Sequence, residues 1–171
     1  MGADTMKEIS KITGRAYKPF VYYGAEDAEN IIIAMGSVTE TIKETVDYLR
    51  AQGEKVGVIT VHLYRPFAVK YLLEVLPASV KRICVLDRTK EPGANGDPLY
   101  LDVVEAFTTN RHSLPCGEMP LLIGGRYGLP SKAPTPAHML AVFETPHTAH
   151  PQNPSTVGLL HPPTFPPPPL R

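Results

Sequence analysis

The chain has 171 residues, 43% of them hydrophobic, and its 17 Lys and Arg balance its 17 Asp and Glu. This length suffices for one domain with a core, and the balanced charge argues against nucleic acid or an anionic membrane as partner. The apolar runs fall short of the roughly 20 residues that a membrane-spanning helix needs. The two cysteines, Cys84 and Cys116, are too few for an iron–sulfur cluster or a structural zinc ion.

The first half of the chain alternates short apolar runs with a helical pattern. The run NIIIAMG at 30–36 is β-branched and ends in glycine, which predicts a buried strand. Ser37 and Glu40 have the spacing of a capping box, and apolar residues then recur at helical intervals up to Gly53. The run KVGVITVHLY at 55–64 predicts the second strand.

The second half repeats this alternation. A short helix is predicted from Pro66 to Pro77, then a strand RICVLD at 82–87. Asp97 and Pro98 predict the start of a helix that runs to residue 109, and PLLIGG at 120–125 predicts a fourth strand. A last helix is predicted to follow Thr135 and end at residue 144. Continuous apolar strands alternating with helices indicate a mainly parallel sheet covered on both faces.

The two ends of the chain differ from its centre. Residues 1–29 are mixed and aromatic, and we interpret them as a connector that packs on a neighbour. Residues 148–171 are rich in proline, which removes a backbone donor and fixes φ, and predict a disordered tail. The α/β domain is therefore predicted to span residues 30–147.

Known catalytic and cofactor motifs do not fit the residues. No G-x-G-x-x-G follows the first strand, no G-x-S-x-G is present, and GGRYGLPSK fails the pattern of a phosphate-binding loop. A phosphate at Gly36 and Ser37 is disfavoured by Glu40 in the first helical turn. The six histidines lack the spacing of a zinc protease. We therefore expect no catalytic, cofactor-binding or metal-binding residue in this chain.

Four loops are predicted where the strands end, at 36–37, 64–66, 87–97 and 124–132, and the last three contain charged residues. The loop DRTKEPGANGD at 87–97 is either an ordinary solvated turn or an edge where a partner docks. Its charges could pair with one another and with Arg65. Such an edge without a nucleophile beside a base fits docking to another domain better than catalysis. The candidate residues of this inter-domain edge are Arg65, Asp87, Arg88, Lys90, Glu91, Arg126 and Lys132.

Four segments carry a resemblance to a known family: MGSVTETI at 35–42, LYRPF at 63–67, LDRTKEPG at 86–93 and GGRYGL at 124–129. Over residues 6–143 the chain resembles the second domain of pyruvate:ferredoxin (flavodoxin) oxidoreductase. The resemblance implies a three-layer α/β/α sandwich like the C-terminal domain of transketolase, with a mostly parallel five-stranded sheet. The fifth strand is expected near VYYG at 21–24 or elsewhere in the connector.

The resemblance also implies what surrounds the chain. The full-length family is a homodimer that uses thiamine diphosphate, Mg²⁺, [4Fe–4S] clusters and coenzyme A. It converts pyruvate to acetyl-CoA and CO2 and passes electrons to ferredoxin or flavodoxin. The diphosphate motif of that family is missing, because Gly96 and Asp97 are followed by Pro98. The cluster cysteines of the family are missing as well. We expect a cytoplasmic location, with an organelle as the alternative in a eukaryote.

Three readings of the function remain open at this point. The chain is a non-catalytic structural module between the domains of the oxidoreductase, a free-standing α/β domain that binds a small ligand, or an adaptor acting through its proline-rich end. We favour the first, in which the other domains or subunits of the enzyme are the partners.

Overall fold

The computed structural model describes residues 2–15, 17–128, 134–144 and 155–156. The strands within these residues are β1 Phe20–Gly24, β2 Asn30–Met35, β3 Val56–Val61, β4 Arg82–Asp87, β5 Leu121–Arg126 and β6 Ser155–Thr156. The α-helices are α1 Gly2–Thr13, α2 Val38–Ala51, α3 Val69–Glu74, α4 Pro98–Thr109 and α5 Pro136–Glu144, and a 3-10 turn spans Arg111–Ser113. No helix in the described part of the chain is long and apolar enough to cross a membrane.

The strands form one sheet in the order β1-β3-β2-β4-β5-β6. Strands β2 to β5 run parallel to their neighbours in this central part of the sheet, whereas β1 is antiparallel to β3. The mainly parallel sheet predicted from the apolar runs is confirmed. The carboxyl ends of the four parallel strands therefore meet at one edge, as the sequence predicted.

Helices cover both faces of the sheet. Ile31 and Ile33 of β2 face the core that includes Leu72 of α3 and Phe107 of α4. The alternate residue Ile32 faces the opposite core, which also contains residues of α2 and α5. Because successive strand residues point to opposite faces, burial on both sides requires an uninterrupted apolar strand. The three-layer α/β/α arrangement is confirmed.

The outer strands come from the two ends of the chain. Strand β1 lies in the segment 1–29, where the fifth strand was expected, and its Phe20 is fully buried against Phe67, with ring centroids 5.5 Å apart. Strand β6 adds a sixth, two-residue strand parallel to β5, which the five-strand prediction did not include. A two-residue strand is too short to show a periodic pattern. The rest of the predicted tail lies outside the described residues.

The capping box predicted for α2 is wrong. Ser37 precedes the helix but has helical backbone angles, φ −63° and ψ −22°, and its side chain makes no capping hydrogen bond. An N-cap side chain reaches the first-turn N–H groups from extended backbone angles, which Ser37 does not have. Glu40 instead forms an ion pair with Lys43 at 2.7 Å. Thr39 donates its hydroxyl to the carbonyl of Gly36 at 2.8 Å.

Two further elements differ from prediction in extent. The helix predicted from Pro66 to Pro77 forms only between Val69 and Glu74, because Phe67 packs against β1 instead of continuing a helical turn. The residues 2–13 of the predicted connector form helix α1. This helix touches the body lightly: Met6 and Ser10 are half-buried, whereas Ile9 is 41% and Ile12 is 85% exposed.

Candidate inter-domain edge

The carboxyl edge of the sheet is built by the last residues of β4 and β5 and the loops after them. Asp87 ends β4 and Arg126 ends β5, and the two are partners in the register of the parallel ladder. The following residue, Tyr127, donates its N–H to the carbonyl of Asp87 at 3.0 Å. Asp87 and Arg126 therefore lie side by side at this edge, as predicted. They differ in exposure, since Asp87 is buried and Arg126 is partly exposed.

Asp87 is buried and holds the start of helix α4. Its two carboxylate oxygens accept hydrogen bonds from the backbone N–H groups of Leu99 and Tyr100, both at 3.1 Å. These groups belong to the first turn of α4, whose N–H groups have no partner within the helix. Burial, the largest effect, raises the pKa of the Asp87 carboxyl, although the two hydrogen bonds oppose that rise. Asp87 thus ties strand β4 to α4 across the loop 88–97.

Asp97 and Arg126 form a buried ion pair beside this cap. The Nε of Arg126 donates to both carboxylate oxygens of Asp97, at 2.8 and 2.6 Å. The Asp97 side chain is only 1% exposed and that of Arg126 is 18% exposed. Asp97 precedes α4 as predicted, but its side chain makes no capping hydrogen bond. The N-cap position and the capping carboxylate therefore come from different residues, Asp97 and Asp87.

Arg65 pairs with helix α4 rather than with the charged loop. Its Nη1 lies 2.7 Å from Oδ2 of Asp102, and its guanidinium carbon lies 3.9 Å above the ring of Tyr64. Burial, followed by the nearby Asp102, raises the pKa of the Tyr64 hydroxyl to about 12. The ion pair that Arg65 forms is therefore with Asp102 on α4, and not with the loop 87–97 as the sequence had suggested it could be.

The remaining candidate residues of the edge are exposed or lie outside the described residues. Arg88, Lys90 and Glu91 are exposed, and the stem of Arg88 lies against the backbone at Gly128, where an added Cβ would stand 3.3 Å from Arg88 Nε. Lys132 lies outside the described residues. Buried carboxylates begin and end the loop DRTKEPGANGD, and exposed charges lie between them. Whether the exposed charges meet another domain stays a prediction.

The sequence analysis missed two contributors to this edge. Tyr127 is 6% exposed and donates its hydroxyl to the carbonyl of Met35 at 3.3 Å, which links the ends of β5 and β2. Asp102 was read only as part of a helical pattern. The GGRYGL segment could have drawn attention to Tyr127, whereas nothing local distinguishes Asp102 from a solvated helix residue.

The charged groups of this edge thus serve contacts within the domain. Asp87 pairs with the helix backbone, and Asp97 pairs with Arg126. Across the described residues, no three His, Cys, Asp or Glu side chains gather as metal ligands. The chain is thus an α/β/α domain in which buried charged residues at the carboxyl edge stabilise the contacts between the sheet and helix α4.

The family follows from comparison with known proteins. Residues 28–132 match the family model described as pyruvate:ferredoxin oxidoreductase core domain II, and the chain belongs to this family. It is 52% identical over 160 residues to the pyruvate-flavodoxin oxidoreductase of Enterobacter agglomerans and 50% identical over 157 residues to the pyruvate:ferredoxin oxidoreductase of Moorella thermoacetica. These alignments cover 94% and 92% of this chain but 13% of the length of each relative.

Two solved structures are similar at lower identity. A 2-oxoglutarate:ferredoxin oxidoreductase from Magnetococcus marinus aligns with a TM-score of 0.49 and 20% identity, over 80% of this chain and 20% of that one. A split-gene transketolase aligns with a TM-score of 0.46 and 17% identity, over 76% of this chain and 39% of that one.

Proposed function

We propose that this chain is a non-catalytic structural module of a pyruvate:ferredoxin (flavodoxin) oxidoreductase. Such an enzyme oxidatively decarboxylates pyruvate with coenzyme A to acetyl-CoA and CO2, and its electrons pass to ferredoxin or flavodoxin. Membership of the core domain II family supports the choice of enzyme. In this proposal the module supplies surfaces on which the other domains of the enzyme rest.

The observation that supports the non-catalytic role is that charged side chains at the carboxyl edge bind other groups of the same domain. In open α/β sheets this edge is where ligands usually bind. Here Asp87 holds the first turn of α4, and Asp97 is paired with Arg126 at 2.6 Å. Both carboxylates are thus engaged in contacts that hold helix α4 in place, which supports a structural role for them.

The cysteines of the chain do not fit a [4Fe–4S] cluster. Such a cluster takes four thiolate ligands, whereas the sequence contains two cysteines. Cys84 lies in the buried part of β4, and burial raises the pKa of its thiol to about 12. Both facts oppose thiolate ligation. We therefore place the clusters, with thiamine diphosphate and Mg²⁺, on other parts of the enzyme.

The partners in this proposal are the other domains or subunits of the oxidoreductase. We also propose the homodimer of the full-length family, with ferredoxin or flavodoxin as electron acceptor, and a cytoplasmic location. The exposed charges Arg88, Lys90 and Glu91 remain candidates for the contact surface at the carboxyl edge.

A hybrid enzyme tests the proposal. Residues 2–144 of this chain replace the matching segment of the pyruvate-flavodoxin oxidoreductase from Enterobacter agglomerans, which is 52% identical. We expect the hybrid to reduce flavodoxin with pyruvate and coenzyme A, and the 171-residue chain alone to show no such activity. A hybrid that folds and loads its cofactors but is inactive contradicts the proposal, as does pyruvate oxidation by the chain alone.

The rival reading, a free-standing binder of a small ligand, is tested on the same 171-residue chain. Thiamine diphosphate, coenzyme A and FMN are added separately while the melting temperature is followed. Ligands that bind only the folded state raise the melting temperature in proportion to their occupancy. A shift of several degrees with one of them favours the binder, and unchanged melting favours the module.

A further inference from the structure

A basic cleft lies between helices α1 and α3, beside the start of β1 and the end of β3. It has a volume of about 750 Å³. Its apolar wall is formed by the fully buried Phe20 together with the half-buried Tyr71 and Val75. The cleft is therefore concave and partly apolar, as binding surfaces usually are.

The rim of the basic cleft is positively charged. Four lysines line it: Lys7, Lys11, Lys18 and Lys70. Lys70 forms an ion pair with Glu74, with Nζ 3.9 Å from Oε1. Within the described residues, no carboxylate forms an ion pair with Lys11 or Lys18. Two exposed ammonium groups thus face a groove in which the protein itself supplies little opposite charge.

Hydrogen bonds between side chains and the backbone hold the residues around Lys18 in place. Ser10 of α1 accepts a hydrogen bond from the N–H of Tyr17 at 2.8 Å and donates its hydroxyl to the carbonyl of Met6 at 2.7 Å. The carbonyl of Lys18 lies 3.2 Å from Nδ1 of His62, which follows β3. Tyr17 is therefore tied to α1 and Lys18 to the residue after β3, which keeps Lys18 near the groove.

The exposure of helix α1 favours a polypeptide over a small molecule as the ligand of the basic cleft. Small-molecule sites are largely pre-formed on rigid elements. Helix α1 instead buries little of itself, since Ile9 and Ile12 are exposed. A polypeptide surface can fill the groove and cover those isoleucines as well, which a small anion cannot do. The curated relatives are long enough to supply that surface, since the match occupies 13% of them.

We propose that the basic cleft is a docking site for an acidic polypeptide surface in the remainder of the oxidoreductase. Carboxylates of that surface pair with Lys11 and Lys18, and its apolar residues cover Ile9 and Ile12. This inference rests on the proposed function, because it takes the partner from the same enzyme. It adds a second contact surface, separate from the charged residues at the ends of β4 and β5.

Lysine acetylation tests the docking site. N-hydroxysuccinimidyl acetate is reacted with the 171-residue chain and with the hybrid enzyme, and the rate at each lysine is read by mass spectrometry. We expect the rates at Lys11 and Lys18 to fall at least about fivefold in the hybrid, because contact surfaces exclude solvent. Lys43, on helix α2 in the opposite layer, is the matched control and should change less than about twofold.

A charge reversal then tests the electrostatic part. Lys7 lines the same cleft and should also be protected in the hybrid. There, Lys11→Glu with Lys18→Glu should restore the acetylation of Lys7 to the rate in the isolated chain, whereas Lys43→Glu should leave it protected. Unchanged rates at Lys11 and Lys18, or an equal fall at all lysines, overturn the proposal. So does protection of the isolated chain by inorganic pyrophosphate, which would make the cleft a small-anion site. Activity of the hybrid is read separately: an active hybrid with unprotected lysines refutes the docking site alone.

Discussion

The carboxyl edge and the basic cleft use charged residues in opposite ways. At the edge, Asp87 and Asp97 are buried, and each has a partner within hydrogen-bond distance. At the cleft, Lys11 and Lys18 are exposed and line an open groove. A buried charge without a partner costs several kcal/mol, whereas an exposed one costs little. The buried charges of the edge therefore stabilise the domain itself, whereas the exposed lysines of the cleft are available to bind a partner.

The strongest test of this contrast places a new charge next to an existing one. Leu86 directly precedes Asp87 in β4 and is fully buried. Leu86→Asp puts a carboxylate into the apolar core without the helix N–H groups that Asp87 has. We expect loss of the folded state, because an unpaired buried charge costs about as much as a whole domain's stability. Circular dichroism should show no cooperative melt; a melt like that of the unchanged chain would contradict this reading.

The next test removes one half of the buried ion pair. Arg126→Met leaves the carboxylate of Asp97 buried without its cation, and we expect a loss of about 3–5 kcal/mol in the free energy of unfolding. The double variant Arg126→Met with Asp97→Leu removes both charges and should recover most of that loss. Urea unfolding of the single and double variants measures the difference. Equal losses in the two would show that packing, and not pairing, explains the effect.

A smaller effect is expected at the cap of α4. Asp87→Ala leaves the N–H groups of Leu99 and Tyr100 without an acceptor, which should cost about 1–3 kcal/mol. Asp87→Asn keeps one amide oxygen as an acceptor and should lose less. Urea unfolding at neutral pH compares the two variants. An alanine variant as stable as the unchanged chain would show that the cap contributes nothing.

The same residue gives a pH dependence of known sign. Because burial raises the pKa of Asp87 above its usual value of 3.8, the folded state holds this proton more tightly than the unfolded state does. Its contribution to stability therefore falls as pH rises from 3.8 through the raised pKa. Asp87→Asn should remove this fall. The stability difference between the two proteins, followed from about pH 4 upward, should shrink with rising pH.

Much of the fold was predictable because its signals are local. Strand β4 was predicted with its observed ends, since a run of apolar residues is bounded by charge on both sides. Helix α5 was predicted from the start signal at Thr135 and its apolar spacing. The capping box at Ser37 shows the limit of such signals, because the backbone angles of one residue decided whether its side chain could cap.

The roles of the edge residues were not predictable in the same way. The sequence placed Asp87, Arg126 and Arg65 at one edge, and the sheet topology confirms that placement for the ends of β4 and β5. Which of them turn inward depends on partners far along the chain: Leu99 for Asp87, Asp97 for Arg126 and Asp102 for Arg65. A charge within a loop looks the same in the sequence whether it faces a helix end or water.

The smallest effect on stability is predicted for the lysines of the basic cleft. It tests directly whether these lysines differ from the buried charges of the carboxyl edge. Lys11→Gln with Lys18→Gln removes two exposed charges that have no ion-pair partner among the described residues. We expect the melting temperature of the 171-residue chain to change by less than about 2 °C, because surface substitutions away from buried contacts alter stability little. Lys43→Gln, which breaks the ion pair with Glu40, is the matched control. A large loss from the double substitution would mean that the cleft lysines, like the edge charges, hold the domain itself together and are not kept for a partner.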